Sequence, residues 1–235
     1  MNRKTSTLAA AVAVALGMSS FAATAQDAPA RTAANTLDTI IVTGTRVADR
    51  TVAESQSPID IITPEALQST GTTELATALA RALPSLNFPR PALTDGTSGI
   101  RPAQLRGLSP DQVLVLVNGK RRHTSAQINV NGSIGRGSSA VDINAIPIAS
   151  IERVEVLRDG ASAQYGSDAI AGVINIVLKG SSSGGSLALD AGQYSAGDGN
   201  KYQLSGDTGI GFADGRGSVH VAGQIVQQDE SNRAG

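Results

Sequence analysis

The chain has 235 residues, of which 40% are hydrophobic, 17% are charged and 26 are glycine, and it contains no cysteine and no tryptophan. The apolar fraction is large enough to build a folded core, and the lack of cysteine excludes disulfides, thiolate zinc sites and iron–sulfur clusters. Nineteen basic against 20 acidic residues give a net charge of −1, so no polycationic surface for nucleic acid is expected, and the two widely separated histidines, His123 and His220, suggest no metal site or cofactor.

Residues 1–25 have the pattern of a secretory signal peptide. A positive start at residues 3–4 precedes an apolar run at 8–18, and a small-residue Ala-Thr-Ala site follows at 23–25. This order predicts export, with cleavage after Ala25. A membrane-spanning helix is the weaker alternative, because the apolar run would cross only about half of a bilayer core that is roughly 30 Å thick.

Residues 26–50 are predicted to be a flexible leader around one short β-branched run. Residues 26–37 show no apolar period, whereas 39–43 read Thr-Ile-Ile-Val-Thr and stop at Gly44. A run this short cannot hold a sheet alone, so we expect it to add to the edge of another sheet.

Residues 51–180 have the pattern of a compact domain of strands and short helices. A strand is expected at 57–62, followed by a helix that begins at Thr63-Pro64-Glu65 with a hydroxyl cap and proline in its first turn. A second helix is predicted over 73–83, and the Pro-rich stretch 87–104 is predicted to be a loop.

The second half of this domain is predicted to supply its central strands. Val113–Val117 is continuously apolar, which indicates a strand buried on both faces, and Asn118-Gly119 predicts a tight hairpin after it. Further strands are expected at 151–158 and 173–178, with a polar, Gly-rich loop at 127–139. The charged members of the first of these strands are expected on its surface; they are Glu152, Arg153 and Glu155.

Residues 186–235 change pattern again. Three segments of roughly ten residues alternate between apolar residues on one side and small or polar residues on the other. This alternation is typical of the strands of a transmembrane β-barrel, although a soluble antiparallel sheet has the same period.

Five motifs, in this order, resemble the N-terminal part of the TonB-dependent outer-membrane receptors. They lie at residues 38–44, 104–108, 113–119, 151–160 and 165–176. The resemblance implies an α+β plug domain (a small mixed sheet with short helices) at 51–180. It further implies that residues 186–235 begin an antiparallel transmembrane β-barrel.

The resemblance also implies a role for residues 38–44 as a TonB box. In the family this segment passes to the periplasmic domain of TonB, which draws on an inner-membrane energising complex, and strand addition suits a short β-branched segment. The alternative is an ordinary first strand of the plug. The residues expected to bind TonB are Asp38, Thr39, Ile40, Ile41, Val42, Thr43 and Gly44.

Two further groups of residues acquire roles from the resemblance. Arg106 and Arg158 are expected to lock the plug to glutamates of the inner barrel wall, or else to be solvated surface arginines. Polar loop residues are expected either to face the ligand or to be only solvated; they are Arg90, Asp95, Asp111, Gln112, His123, Gln127, Asn131 and Arg136.

The sequence therefore predicts part of an outer-membrane receptor for energy-coupled uptake of a scarce nutrient. An iron–siderophore complex is expected because it is the family's commonest cargo, and haem, cobalamin, saccharides and other metal chelates are the alternatives. No enzyme is expected, since no nucleophile elbow or metal-ligand spacing occurs. The 50 residues at 186–235 are too few to close a barrel of about 22 strands, so we expect a piece of a longer receptor. The alternative is a stand-alone periplasmic plug-like binding module without a pore.

Overall fold

The computed structural model describes most of the chain beyond the leader. The described residues are 43–44, 51, 54–55, 57–90, 99–130, 135–180, 184–195, 197–213 and 216–230. The helices are α1 (Pro64–Ser69), α2 (Leu75–Ala82) and α3 (Ser162–Tyr165). The strands are β1 (Ile59–Ile62), β2 (Leu86–Asn87), β3 (Gln104–Leu105), β4 (Val113–Val117), β5 (Lys120–Arg121), β6 (Ile151–Leu157), β7 (Gly172–Leu178), β8 (Gly185–Gly192), β9 (Lys201–Phe212) and β10 (Gly217–Gln228). In these ranges no helix is long and apolar enough to cross a membrane.

A five-stranded mixed sheet forms the centre of the first part of the chain. Its strand order is β1-β6-β7-β4-β5, with β4 and β7 parallel and the other neighbours antiparallel. The small mixed sheet with short helices that the sequence predicts is thus confirmed. The stretch predicted as a loop, 87–104, differs in that its two ends form the paired strands β2 and β3.

The sheet is buried on both faces, which explains the unbroken apolar run of β4. Val113 and Val115 pack with α1, α2 and one face of β6 and β7, whereas Leu114 and Leu116 pack on the other face with Leu157. Successive side chains of a strand point to opposite faces, so only a continuous apolar sequence satisfies both layers.

Local sequence features position the helices and the hairpin. The Thr63 hydroxyl caps α1 by accepting a hydrogen bond from the Ala66 amide at 3.3 Å. Asn118 and Gly119 have φ of 49° and 74°, the left-handed conformation that a two-residue turn between β4 and β5 requires. Asn118 Oδ1 also accepts a 2.8 Å hydrogen bond from the Leu178 amide, which ties this turn to the end of β7.

Gly172 begins β7 at a point of close backbone approach. Its φ is 139°, and a Cβ atom at this position would lie 2.2 Å from the Leu157 carbonyl oxygen and 2.6 Å from Leu105 Cδ2. Only glycine fits here without displacing β6, so this residue sets how closely β6 and β7 approach each other.

A second, three-stranded antiparallel sheet has the order β10-β9-β8. One face carries exposed apolar side chains such as Leu187, Leu189 and Ile225, while on the other face Gln203 and Asp207 are buried. The alternation predicted for residues 186–235 is present in these strands, and the buried polar face is the one turned toward the plug.

The expectation that Glu155 is a surface charge is wrong. Its side chain is fully buried at the centre of β6, on the face of the sheet that carries Leu157. Burial is possible because Arg153 Nε donates to Glu155 Oε1 at 3.0 Å, and other donors reach the second oxygen.

Candidate functional site

The end of the predicted TonB box lies against the plug sheet. Residues 38–42 are outside the described part of the chain, but Thr43 is fully buried and Gly44 is half-buried. The Thr43 hydroxyl donates to Glu155 Oε2 at 2.6 Å, and the Gly44 amide donates to the Tyr165 hydroxyl at 2.9 Å. Gly44 adopts φ of 75°, so the chain turns sharply as it leaves this contact.

Glu155 connects this contact to the centre of the sheet. Asn175, its cross-strand neighbour on β7, lies with Nδ2 3.5 Å from Glu155 Oε2, and Asn175 Oδ1 accepts a 3.0 Å hydrogen bond from the Gly119 amide. A buried polar network thus runs from Thr43 to the β4–β5 turn. The sequence signal for such a network was Glu155 itself, a charged residue between Val154 and Val156 in a strand that is buried on both faces.

The two arginines predicted to lock the plug to the barrel wall make contacts within the plug. Arg106 has φ of 55°, and its Nε and Nη2 donate to the carbonyls of Ala171 and Ile170, each at 3.1 Å. Arg158 forms an ion pair with Asp60 on β1, and its Nη2 donates to Asp60 Oδ1 at 3.2 Å. Their role as a lock to the barrel remains a prediction.

Contacts between the plug and the second sheet come from residues that the sequence did not single out. Lys179 Nζ, just after β7, lies 3.2 Å from Asp207 Oδ1 on β9, and Asp207 also accepts from Ser186 and lies 3.0 Å from His220 Nε2. Lys201 Nζ at the start of β9 donates to the Thr73 hydroxyl. The sequence signal for this role of Asp207 was its position as a charged residue on the polar face of a strand with alternating apolar and polar residues.

Glu74, at the N-cap of α2, is the centre of a second polar cluster. Its Oε1 accepts hydrogen bonds from Arg101 Nε and Asn144 Nδ2, each at 2.8 Å, and its Oε2 accepts from the Thr77 hydroxyl at 2.8 Å and pairs with Arg90. Partial burial would raise the pKa of Glu74, but these hydrogen bonds and the charge of Arg90 outweigh it and lower the pKa from 4.5 to about 2.

The residues predicted to face the ligand fall in different places. Arg90 belongs to the Glu74 cluster. Asp111, His123 and Arg136 are exposed, and Gln112 and Gln127 are half-buried, with the Gln112 carbonyl accepting a 2.9 Å hydrogen bond from the Ala171 amide. Asp95 and Asn131 lie outside the described residues. Across those that are described, no group of three or more His, Cys, Asp or Glu side chains is arranged to hold a metal ion.

This fold and these contacts can be compared with known proteins. A sequence model of the TonB-dependent receptor plug domain matches residues 51–173. The match covers more than half of the chain and includes β1 to β6 of the mixed sheet and the Glu74 cluster. The chain belongs to the TonB-dependent receptor plug domain family.

Relatives with this domain are receptors and transporters. The chain is 33% identical over 143 residues to a probable TonB-dependent siderophore receptor, PirA, of Acinetobacter baumannii, covering 61% of this chain and 18% of that protein. It is 30% identical over 185 residues to the vitamin B12 transporter BtuB of Vibrio cholerae, covering 79% of this chain and 27% of that protein.

The fold has solved counterparts. A mutant ferric enterobactin receptor, PfeA, of Pseudomonas aeruginosa in complex with enterobactin superposes with a TM-score of 0.58 at 26% identity. The superposition covers 74% of this chain and 25% of that structure. The chain therefore has the plug and the first strands of a TonB-dependent receptor, and it spans between 18% and 27% of the length of these relatives.

Proposed function

We propose that this chain is the plug-bearing N-terminal part of an outer-membrane receptor that imports a metal chelate with energy supplied through TonB. The observation that carries the proposal is the seating of a plug domain against the inward face of β8–β10. Gln203, Ser205 and Asp207 are buried on that face, and Lys179 joins Asp207 to the end of the plug. The outward face is apolar, as a wall in contact with lipid requires.

In this proposal residues 38–44 are the segment that TonB binds by strand addition. The support is their β-branched sequence and the packing of Thr43 and Gly44 against the plug, held by two hydrogen bonds. Backbone pairing supplies the affinity, and the anchored end of the segment transmits tension to Glu155 in the middle of the plug sheet.

Val42→Pro tests the coupling role, because proline removes a backbone donor and blocks strand pairing. The mature chain is titrated with purified TonB periplasmic domain by calorimetry, and we expect the substitution to abolish binding while the circular dichroism of the plug stays unchanged. Ala34→Pro, in the leader before the segment, is the matched control and keeps binding. Unchanged affinity in Val42→Pro would falsify the coupling role.

The cargo proposed is an iron–siderophore complex, supported by similarity to siderophore receptors over the plug. Because the chain is also similar to a vitamin B12 transporter, cobalamin is the second candidate cargo. Deleting the gene in its natural host and measuring uptake of labelled ferric enterobactin, ferric citrate and cyanocobalamin separates them. We expect loss of uptake of an iron chelate and unchanged cobalamin uptake. Loss of cobalamin uptake alone would overturn the proposed cargo.

A further inference from the structure

The Glu74 cluster opens into a small cavity between the plug and the second sheet. The cavity has a volume of about 230 Å³ and is bounded by Glu74, Arg90 and Arg101 on the plug side and by Lys201, Gln203 and Gln224 on β9 and β10. Pockets that enclose drug-sized ligands span roughly 300–1,000 Å³. This cavity therefore suits a small molecule or one branch of a larger one.

The charge of the lining is positive. Arg90, Arg101 and Lys201 contribute three cations against the single carboxylate of Glu74, which leaves a net charge of +2 on the lining side chains. Because the pKa of Glu74 is held at about 2, this charge is constant over the physiological range. Glu74 also holds Arg90 and Arg101 next to each other, so it fixes two guanidinium groups at the cavity edge.

Gln203 adds a hydrogen-bond acceptor to the positive charge of the cavity lining. It is 4% exposed and lines the cavity, and its buried Oε1 has no hydrogen-bond partner among the residues that the structure describes. A buried acceptor without a donor is costly, and a ligand hydroxyl would satisfy it.

We propose that this cavity binds a small hydroxylated carboxylate, with Arg90 and Lys201 pairing with its carboxylates and Gln203 accepting from its hydroxyl. The proposal rests on the proposed function, since it names the chemical class of chelating group that the receptor takes. Two adjacent guanidinium groups on the plug side and an ammonium group on β9 suit several carboxylates spread over one skeleton better than a single compact phosphate. The side chain of Arg90 is half-exposed, so a ligand can reach it from solvent.

Citrate and tricarballylate are the matched probes, because they carry the same three carboxylates and only citrate has the hydroxyl. They are titrated by calorimetry into the full chain in detergent micelles, which cover the apolar face of β8–β10. We expect citrate to bind about tenfold more tightly than tricarballylate, the factor for one satisfied buried hydrogen bond. Equal affinities, or no binding of citrate, would overturn the proposal.

Variants assign the roles. Arg90→Gln and Lys201→Gln each weaken citrate binding at least fivefold, whereas Arg216→Gln, an exposed arginine outside the cavity, leaves it unchanged. Gln203→Leu lowers citrate to the affinity of tricarballylate and leaves tricarballylate unaffected. Circular dichroism verifies that each variant is folded, and an Arg90→Gln protein that is folded and binds citrate normally contradicts the assignment.

Two further arms identify the source of the ligand and separate this inference from the proposed function. Tighter binding of ferric citrate than of citrate assigns the site to the metal chelate, and tighter binding of citrate assigns it to the free acid. Tighter binding of glycerol 3-phosphate than of both overturns the carboxylate class. TonB binding is measured on the same preparations, so a chain that binds TonB but no citrate refutes only the cavity's role.

Discussion

Thr43 and Glu155 are 112 residues apart in the sequence, yet the Thr43 hydroxyl donates a 2.6 Å hydrogen bond to the buried Glu155 carboxylate. The contact joins the end of the predicted TonB box to the middle strand pair of the plug, since Glu155 is paired with Asn175 across β6 and β7. In the proposed coupling, a pull on residues 38–44 acts on the hydrogen bonds of Thr43 and Gly44 and then on the network around Glu155. Charge-assisted hydrogen bonds of this kind are strong but directional, so they yield when the donor is displaced.

Replacing Thr43 with valine tests this contact, because valine keeps the shape and removes the donor. We expect the amide of Gly44 to exchange with deuterium roughly tenfold faster, which corresponds to a loss of about 1.4 kcal/mol of local protection. Mass spectrometry of peptic fragments measures the rate. Thr36→Val in the leader is the control, and equal exchange in both variants would show that the Thr43 hydrogen bond does not hold the segment.

Asp207→Asn tests the junction between the plug and the wall. The substitution removes the charge that Lys179 and His220 share, and we expect it to lower the free energy of unfolding by about 1–3 kcal/mol. Urea unfolding of the chain in detergent micelles provides the measurement. Asp190→Asn is the control. Asp190 pairs with Gln203 across β8 and β9 and so lies on the same face of the sheet as Asp207, but it is exposed. A larger effect of Asp190→Asn would contradict the role given to Asp207.

Gly172→Ala tests the close approach of β6 and β7. The added Cβ meets the Leu157 carbonyl oxygen in a backbone conformation that alanine avoids. We expect a loss of about 3 kcal/mol or more in the free energy of unfolding. Gly180→Ala lies two residues after β7 and is expected to be neutral, because no atom of the described residues beyond its chain neighbours lies within 4 Å of the new Cβ. Thermal unfolding of both variants distinguishes a steric effect from a general effect of replacing glycine.

Glu74→Gln tests the pH dependence of the second cluster. The pKa of Glu74 is about 2 in the folded chain and 4.5 without its partners, so the unfolded state binds the extra proton first as the pH falls. The stabilisation is therefore complete above about pH 4.5 and is lost between pH 4.5 and 2.

After a reduction for solvent screening, we expect the Glu74 carboxylate to contribute about 2 kcal/mol to the free energy of unfolding. Glu74→Gln should unfold at lower urea concentration than the unsubstituted chain at pH 6, and the two should converge near pH 2. The contrary result would be a constant difference between the two proteins across this range.

Much of the fold follows from local sequence. The hydroxyl of Thr63 before Pro64 begins α1, and Asn118-Gly119 makes the hairpin turn, because each depends only on the conformations of a few adjacent residues. The apolar pattern of a strand shows which of its faces are buried, because successive side chains point to opposite faces. The unbroken apolar run of β4 therefore indicates two buried faces, and the alternation in β8–β10 indicates two different faces.

The polar clusters depended on tertiary structure. Glu155 was predicted as a surface charge because alternation alone does not reveal that β6 has a covered second face, with Thr43 and Asn175 supplying donors from distant parts of the chain. Glu74 and Gln203 line one cavity only because the fold brings the start of α2 and β9 to opposite sides of it. The sequence by itself determined the elements and the family resemblance, whereas the tertiary structure decided which charges are buried and paired, because those contacts join residues far apart in the chain.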